Sequence, residues 1–162
     1  MTNGTFFYMK LPTQIRYGTR ALFYMAFQRG GGFTQTKEIA EKEGIPARYM
    51  EQIFQRFKKA GIVGSMRGPT GGYYLIKRPE EITIGDIVRA ILGTDLELVP
   101  CDGKKTKSSC QRKDRCVAAE IWRTASNIVM DYFNSITLKD MCERAKEMGL
   151  EREIEKSLIY YI

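Results

Sequence analysis

The sequence predicts a mostly α-helical fold with one small β-hairpin, a winged helix-turn-helix, followed by a separate long helix. Three observations carry this expectation. Apolar residues recur at helical spacing in three N-terminal stretches that are separated by glycine. A Gly-rich hairpin pattern comes directly after the third stretch. A long apolar seam then returns, but only after an aperiodic segment that holds three cysteines.

The first helix is expected over Ile15 to Phe27, where apolar side chains at 15, 17, 21, 22, 25 and 26 draw one stripe before Arg29-Gly30-Gly31-Gly32 ends it. A second, shorter helix fits Gln35 to Glu43, with Ile39 and Ala40 on its inner face and Gly44 as its stop. After the Ile45-Pro46 connection, a third runs from Ala47 to Ala60, with Tyr49, Met50, Ile53, Phe54, Phe57 and Ala60 inward and Gly61 as terminator. Two short helices joined by a Gly-containing turn form the helix-turn-helix pattern. The pattern alone also suits any small helical bundle. The segment after Gly61 selects between them: Ile62 to Arg67 reads as a strand, Gly68-Pro69-Thr70-Gly71-Gly72 as a turn and Tyr73 to Lys77 as the returning strand, which together make a wing. Arg67 falls at its tip. Thr83, with Asp86 three residues on, caps a helix over Ile84 to Leu92.

From Gly93 to Cys116 periodicity is lost, and a loop of this length inside a compact domain points to function. Ala118 to Ile136 is then strongly helical, with Ile121, Ala125, Ile128, Val129, Tyr132, Phe133 and Ile136 in one seam. A small winged domain cannot cover so long a seam by itself, so pairing with the same helix of a second copy is the economical expectation. Another helix starts after Thr137 and ends near Gly149, and the charged tail before Leu158-Ile159-Tyr160-Tyr161-Ile162 is compatible with one more. The chain thus divides into a winged domain (9–92), a cysteine loop (93–117) and a dimerisation helix with a helical tail (118–162).

Composition narrows the function. With 26 Lys+Arg against 19 Asp+Glu the net charge is +7 over 162 residues, and a positive domain attracts polyanions through counterion release. Histidine is absent. That removes Ser-His and Cys-His catalysis and the usual proton shuttle, so an enzyme is not expected. No run of about 18 apolar residues is present to span a membrane. No secretion signal is visible either, and the expected compartment is the cytoplasm.

Cys101, Cys110 and Cys116 sit in the setting PCDGKKTKSSCQRKDRC, while Cys142 stands apart. In a reducing compartment such a group more often means metal or redox chemistry than disulfides. Thiolates suit iron–sulfur clusters and zinc. Structural zinc usually takes four ligands at CxxC spacing, and no CxxC occurs here. Lys104, Lys105, Lys107, Arg112, Lys113 and Arg115 offset the negative charge of such a site. Cys142, beside Met141 on an expected helix, reads as a packed, inert thiol.

With these motifs the chain resembles the IscR-type family of bacterial winged-helix regulators, which includes NsrR and RirA. The resemblance runs from Met9-Lys10-Leu11 and Arg16-Tyr17-Gly18 through Tyr49-Met50-Glu51-Gln52-Ile53-Phe54 and Lys59-Ala60-Gly61-Ile62-Val63. It is most specific in the wing, Arg67-Gly68-Pro69-Thr70-Gly71-Gly72-Tyr73, and continues in Ile84-Gly85-Asp86-Ile87-Val88-Arg89-Ala90, the cysteine triplet, Trp122 and Ile136-Thr137-Leu138. It implies a homodimer on (pseudo)palindromic promoter DNA, its affinity or site choice dependent on a cluster. Cys101, Cys110 and Cys116 would be ligands of a 2Fe–2S or 4Fe–4S cluster, Arg48, Glu51 and Gln52 would face the major groove, and Arg67 would enter the minor groove. These roles suit the chemistry: glutamate accepts from cytosine N4, glutamine pairs with adenine and arginine reads a narrow minor groove.

Two positions depart from the family. Ala119 stands where some members carry a ligating histidine, and Arg16 where others carry an acidic ligand. The fourth ligand therefore stays open between Glu120, one helical turn past Cys116, and Asp102, Asp114 or a non-protein group. A thiol redox switch without a cluster, or a regulator that answers to a protein partner, would use the same scaffold.

Overall fold

Spacing and stop signals act together in the N-terminal half. Helix α1 (Thr13–Arg29) buries Ile15, Ala21, Leu22, Met25, Ala26 and Phe27 along one stripe and stops at Gly30, whose φ of 59° is left-handed. In the computed structural model, residues 11–68, 71–99 and 115–152 are described. Helix α2 (Thr36–Glu43) is short, presents Ile39 and Ala40 to the core and ends at left-handed Gly44. Helix α3 (Ala47–Lys59) places Met50, Ile53, Phe54 and Phe57 fully inside. Ala60, expected inward, is exposed: it is the cap of α3, and the left-handed Gly61 turns the chain away there.

The hairpin comes next as strands β1 (Val63–Met66) and β2 (Gly72–Leu75), antiparallel, with Val63 opposite Leu75 and Ser65 opposite Tyr73. Both are shorter than the sequence suggests, and Pro69 and Thr70 of the turn lie outside the described residues. A third segment joins the pair. The Thr34 N–H donates to the Tyr73 carbonyl at 2.8 Å, and the Tyr73 N–H returns a bond to the Thr34 carbonyl at 2.9 Å. Gly72 is required for that approach, because a Cβ there would sit 2.6 Å from the Thr34 carbonyl oxygen.

A 3-10 turn (Pro79–Glu81) leads into α4 (Ile84–Leu92), and α5 (Val117–Ser135) and α6 (Leu138–Glu147) complete the described fold. The further helix expected in the tail lies outside the described residues. Thr83 and Asp86 form the expected capping box on α4, and Thr137 and Asp140 form a second on α6. The two caps lie side by side: Ile84 N–H bonds to the Ile136 carbonyl and Leu138 N–H to the Ile82 carbonyl, each at 2.9 Å. One core of Leu22, Met25, Phe54, Phe57, Ile82, Ile87 and Leu138 joins the helices. Helix α4 packs on α1, α3 and α5, so it connects the helix-turn-helix to the long helix. Gly85 allows the close crossing, since a Cβ there would collide with the Asn134 side chain.

The seam of α5 is divided between two faces. Ala125, Val129, Phe133 and Ile136 are half-buried, Val129 and Phe133 against the chain's own core, and Ala119, Ser126 and Met130 are buried. Ile121, Ile128 and Tyr132, by contrast, are 61%, 64% and 63% exposed, with Val117 and Trp122 exposed on the same helix. Among the described residues, no helix is long and apolar enough to cross a membrane.

Candidate nucleic-acid interface and cysteine loop

The outer face of α3 is polar because its inner face is spoken for. With Met50, Ile53, Phe54 and Phe57 buried, helical geometry leaves Arg48, Glu51, Gln52 and Gln55 outward, and all four are exposed. These four, with Thr36 at the start of α2 and Tyr73 on β2, line one hollow of about 440 Å³. Arg48 and Gln52 also border a second hollow of about 500 Å³ with Tyr17, Pro46 and Tyr49. The structure therefore brings together the three α3 residues singled out from sequence. Arg67 is exposed just after β1, on the wing and outside that hollow.

Gln55 and Tyr73 are additions. Gln55 stands one turn past Glu51, so helical spacing could have found it. Tyr73 arrives from the far strand of the hairpin, which no local pattern reveals. Gln55 Nε2 donates to the Tyr73 hydroxyl at 3.0 Å. Burial, and secondarily the neighbouring Glu51 carboxylate, push the Tyr73 hydroxyl above its ordinary value of 10.0. It stays protonated near neutral pH.

The wing is braced at its base. Lys58 Nζ donates to Ser65 Oγ at 2.7 Å. On the inner side, Arg56 of α3 donates to the Ile91 carbonyl at the end of α4. Arg89 of α4 pairs with Asp95 at 2.7 Å and Asp86 at 3.3 Å and donates to Asn134 Oδ1 of α5 at 2.8 Å. Helices α3, α4 and α5 are thus joined through side chains as well as through the core.

Of the cysteines, Cys116 is the N-cap of α5 and is half-buried, with its carbonyl accepting from Ala119 N–H at 3.1 Å. Cys101 and Cys110 lie outside the described residues, as do Asp102 and Asp114. Glu120 is exposed in the first turn of α5. Among the described residues no three Cys, Asp or Glu side chains gather closely enough to hold a metal ion. Cys142 is half-buried on α6, and burial pushes its thiol up.

Three helices, a two-stranded wing and a polar recognition face define a winged helix-turn-helix protein of the DNA-binding class. The Rrf2 family, described as an iron-dependent transcriptional regulator, matches residues 11–144, and the chain belongs to that family. It is 36% identical over 142 residues to the HTH-type transcriptional regulator IscR of Pectobacterium atrosepticum, spanning 88% of this chain and 84% of that one. The solved structure of T. potens IscR superposes with a TM-score of 0.69 at 32% identity, covering 91% of this chain and 96% of that one. CymR, the global cysteine regulator of B. subtilis, superposes with a TM-score of 0.64 at 31% identity, covering 85% of this chain and 98% of that one. Regulation of transcription through DNA binding, and not catalysis, is therefore the activity of this chain.

Proposed function

We propose that the chain is a homodimeric, IscR-type regulator whose promoter binding is set by an iron–sulfur cluster held by Cys101, Cys110 and Cys116. In this reading Arg48, Glu51 and Gln52 reach base edges in the major groove and Arg67 enters the minor groove from the wing. The three-thiolate donor set, on a loop rich in lysine and arginine, has the chemistry such a cluster needs. Cys116 adds a donor at the positive end of α5, favourable for an anionic site. Glu120, one turn on, is the candidate for the fourth position. When bound, the cluster would supply a redox- and iron-responsive centre.

The observation that carries this reading is where the cysteine loop is anchored. It is held at Leu98, whose N–H bonds to Ser126 in the middle of α5, and again at Cys116, the cap of the same helix. The outer face of that helix carries the exposed Ile121, Ile128 and Tyr132. Cluster binding would therefore act on the element proposed to join two copies, to which α3 connects through α4.

Similarity to a cysteine regulator favours a second reading, a thiol-responsive switch on the same scaffold without a cluster. Anaerobic purification with a visible spectrum and iron and sulfide analysis separates the two. Brown protein containing iron and sulfide supports the cluster, and colourless protein after anaerobic reconstitution supports the thiol switch.

A further inference from the structure

Tyr73 is held from three sides. Its backbone pairs with Ser65 on β1 and exchanges two hydrogen bonds with Thr34, itself 1% exposed. Its ring lies against that of the fully buried Phe54, with centroids 4.8 Å apart. Only the hydroxyl end reaches the outer face of α3, where it accepts from Gln55 Nε2 at 3.0 Å in the hollow that Glu51 also lines. A phenol that accepts from Gln55 still has its own proton to donate to an acceptor in the same hollow.

We propose that Tyr73 is a specificity-determining positioning residue: it fixes Gln55, which shares the hollow with Glu51, in register with the wing strand, so that α3 and β2 read DNA as one unit. The inference rests on α3 being the DNA-reading helix. It adds Gln55 to the reading face and assigns the discrimination of these side chains to a residue outside their helix. Ring packing alone would make Tyr73 a core residue with no effect on site choice. The distinction lies in the hydroxyl, because Tyr73→Phe keeps the ring against Phe54 and both Thr34 bonds while removing the Gln55 contact.

The test uses the full-length protein and the duplex enriched by the wild type from a randomised pool. Equilibrium binding by fluorescence anisotropy compares that duplex, its single-base-pair variants and an unrelated duplex. Tyr73→Phe is expected to lower discrimination about three- to tenfold, the range of one net hydrogen bond. The loss should fall at the base pairs also affected by Gln55→Ala or Glu51→Ala, with affinity for the unrelated duplex unchanged. Combined with Gln55→Ala it should add little. Full discrimination by Tyr73→Phe, or equal losses on every duplex, overturns the proposal. Gln55→Leu removes the same bond from an exposed position, so a poorly folding Tyr73→Phe does not prevent the test: unaltered discrimination in Gln55→Leu also overturns it. Failure of the wild type to enrich any duplex overturns the DNA-reading face itself, and this inference with it.

Discussion

The Leu98 N–H donates to Ser126 Oγ at 3.0 Å, and Ser126 Oγ donates in turn to the Trp122 carbonyl at 2.8 Å. Ser126 is 7% exposed, so one hydroxyl in the middle of α5 holds the cysteine loop at Leu98, ahead of its first cysteine. Ser126→Ala leaves the Leu98 N–H half-buried without this partner, a loss of about 1–3 kcal/mol. The expected outcome is a lower denaturant midpoint together with faster bleaching in air of the proposed cluster's absorbance. Unchanged bleaching at reduced stability would separate Leu98 from the proposed metal site.

The exposed half of α5 is the face proposed to join two copies. Ile128 and Tyr132 are two of its large exposed apolar side chains, and replacing both with Asp would bury charge in the proposed interface. The wild type is expected as a dimer at micromolar concentration by light scattering, and the double variant as a folded monomer with weak operator binding. A monomeric wild type contradicts the assignment.

On the wing, Arg67 is exposed and supports no core packing. Arg67→Ala should leave the melting temperature unchanged while weakening operator binding by about 1–3 kcal/mol in a titration at fixed salt. Wild-type affinity in that titration would remove Arg67 from the interface.

The cap of α6 gives a pH signature. The Thr137 backbone N–H and then its hydroxyl hold the Asp140 carboxyl below its ordinary value of 3.8, with bonds of 2.8 and 2.7 Å. Because the folded value is depressed, the stabilisation is fully present above the unfolded value and is lost as pH falls through the folded one. Asp140→Ala should therefore have a lower urea midpoint than wild type at pH 7, and the gap should close progressively below about pH 4. A gap independent of pH would mean that the carboxylate is not what stabilises the cap.

Elements set by short-range signals were readable in the sequence. The glycine stops at Gly30 and Gly44, the Thr83/Asp86 box and the helix start after Thr137 fall where the pattern puts them. The α3 face was readable for the same reason, since burying Ile53 and Phe54 forces Glu51 and Gln52 outward. Hydrophobicity alone could not divide the α5 seam. Val129 and Ile128 are both strongly apolar, and only the packing of neighbouring helices decides which one faces the core. Contacts between distant segments, Gln55 with Tyr73 and Leu98 with Ser126, left no periodic trace. Each depends on where the hairpin or the loop crosses a helix.

The proposed function turns on coupling between the cluster and the DNA face through α5. The most direct measurement is operator affinity of the anaerobic cluster-loaded protein against the cluster-free protein and against Cys101→Ala, Cys110→Ala and Cys116→Ala, with Cys142→Ala as control. Each loop variant should lose the visible spectrum, while Cys142→Ala, a packed thiol, should keep it. The three loop variants should share the affinity or site preference of the cluster-free protein, displaced from the loaded form by about 1–3 kcal/mol. Loop variants that lose the spectrum yet bind every duplex as the loaded protein does would contradict that coupling.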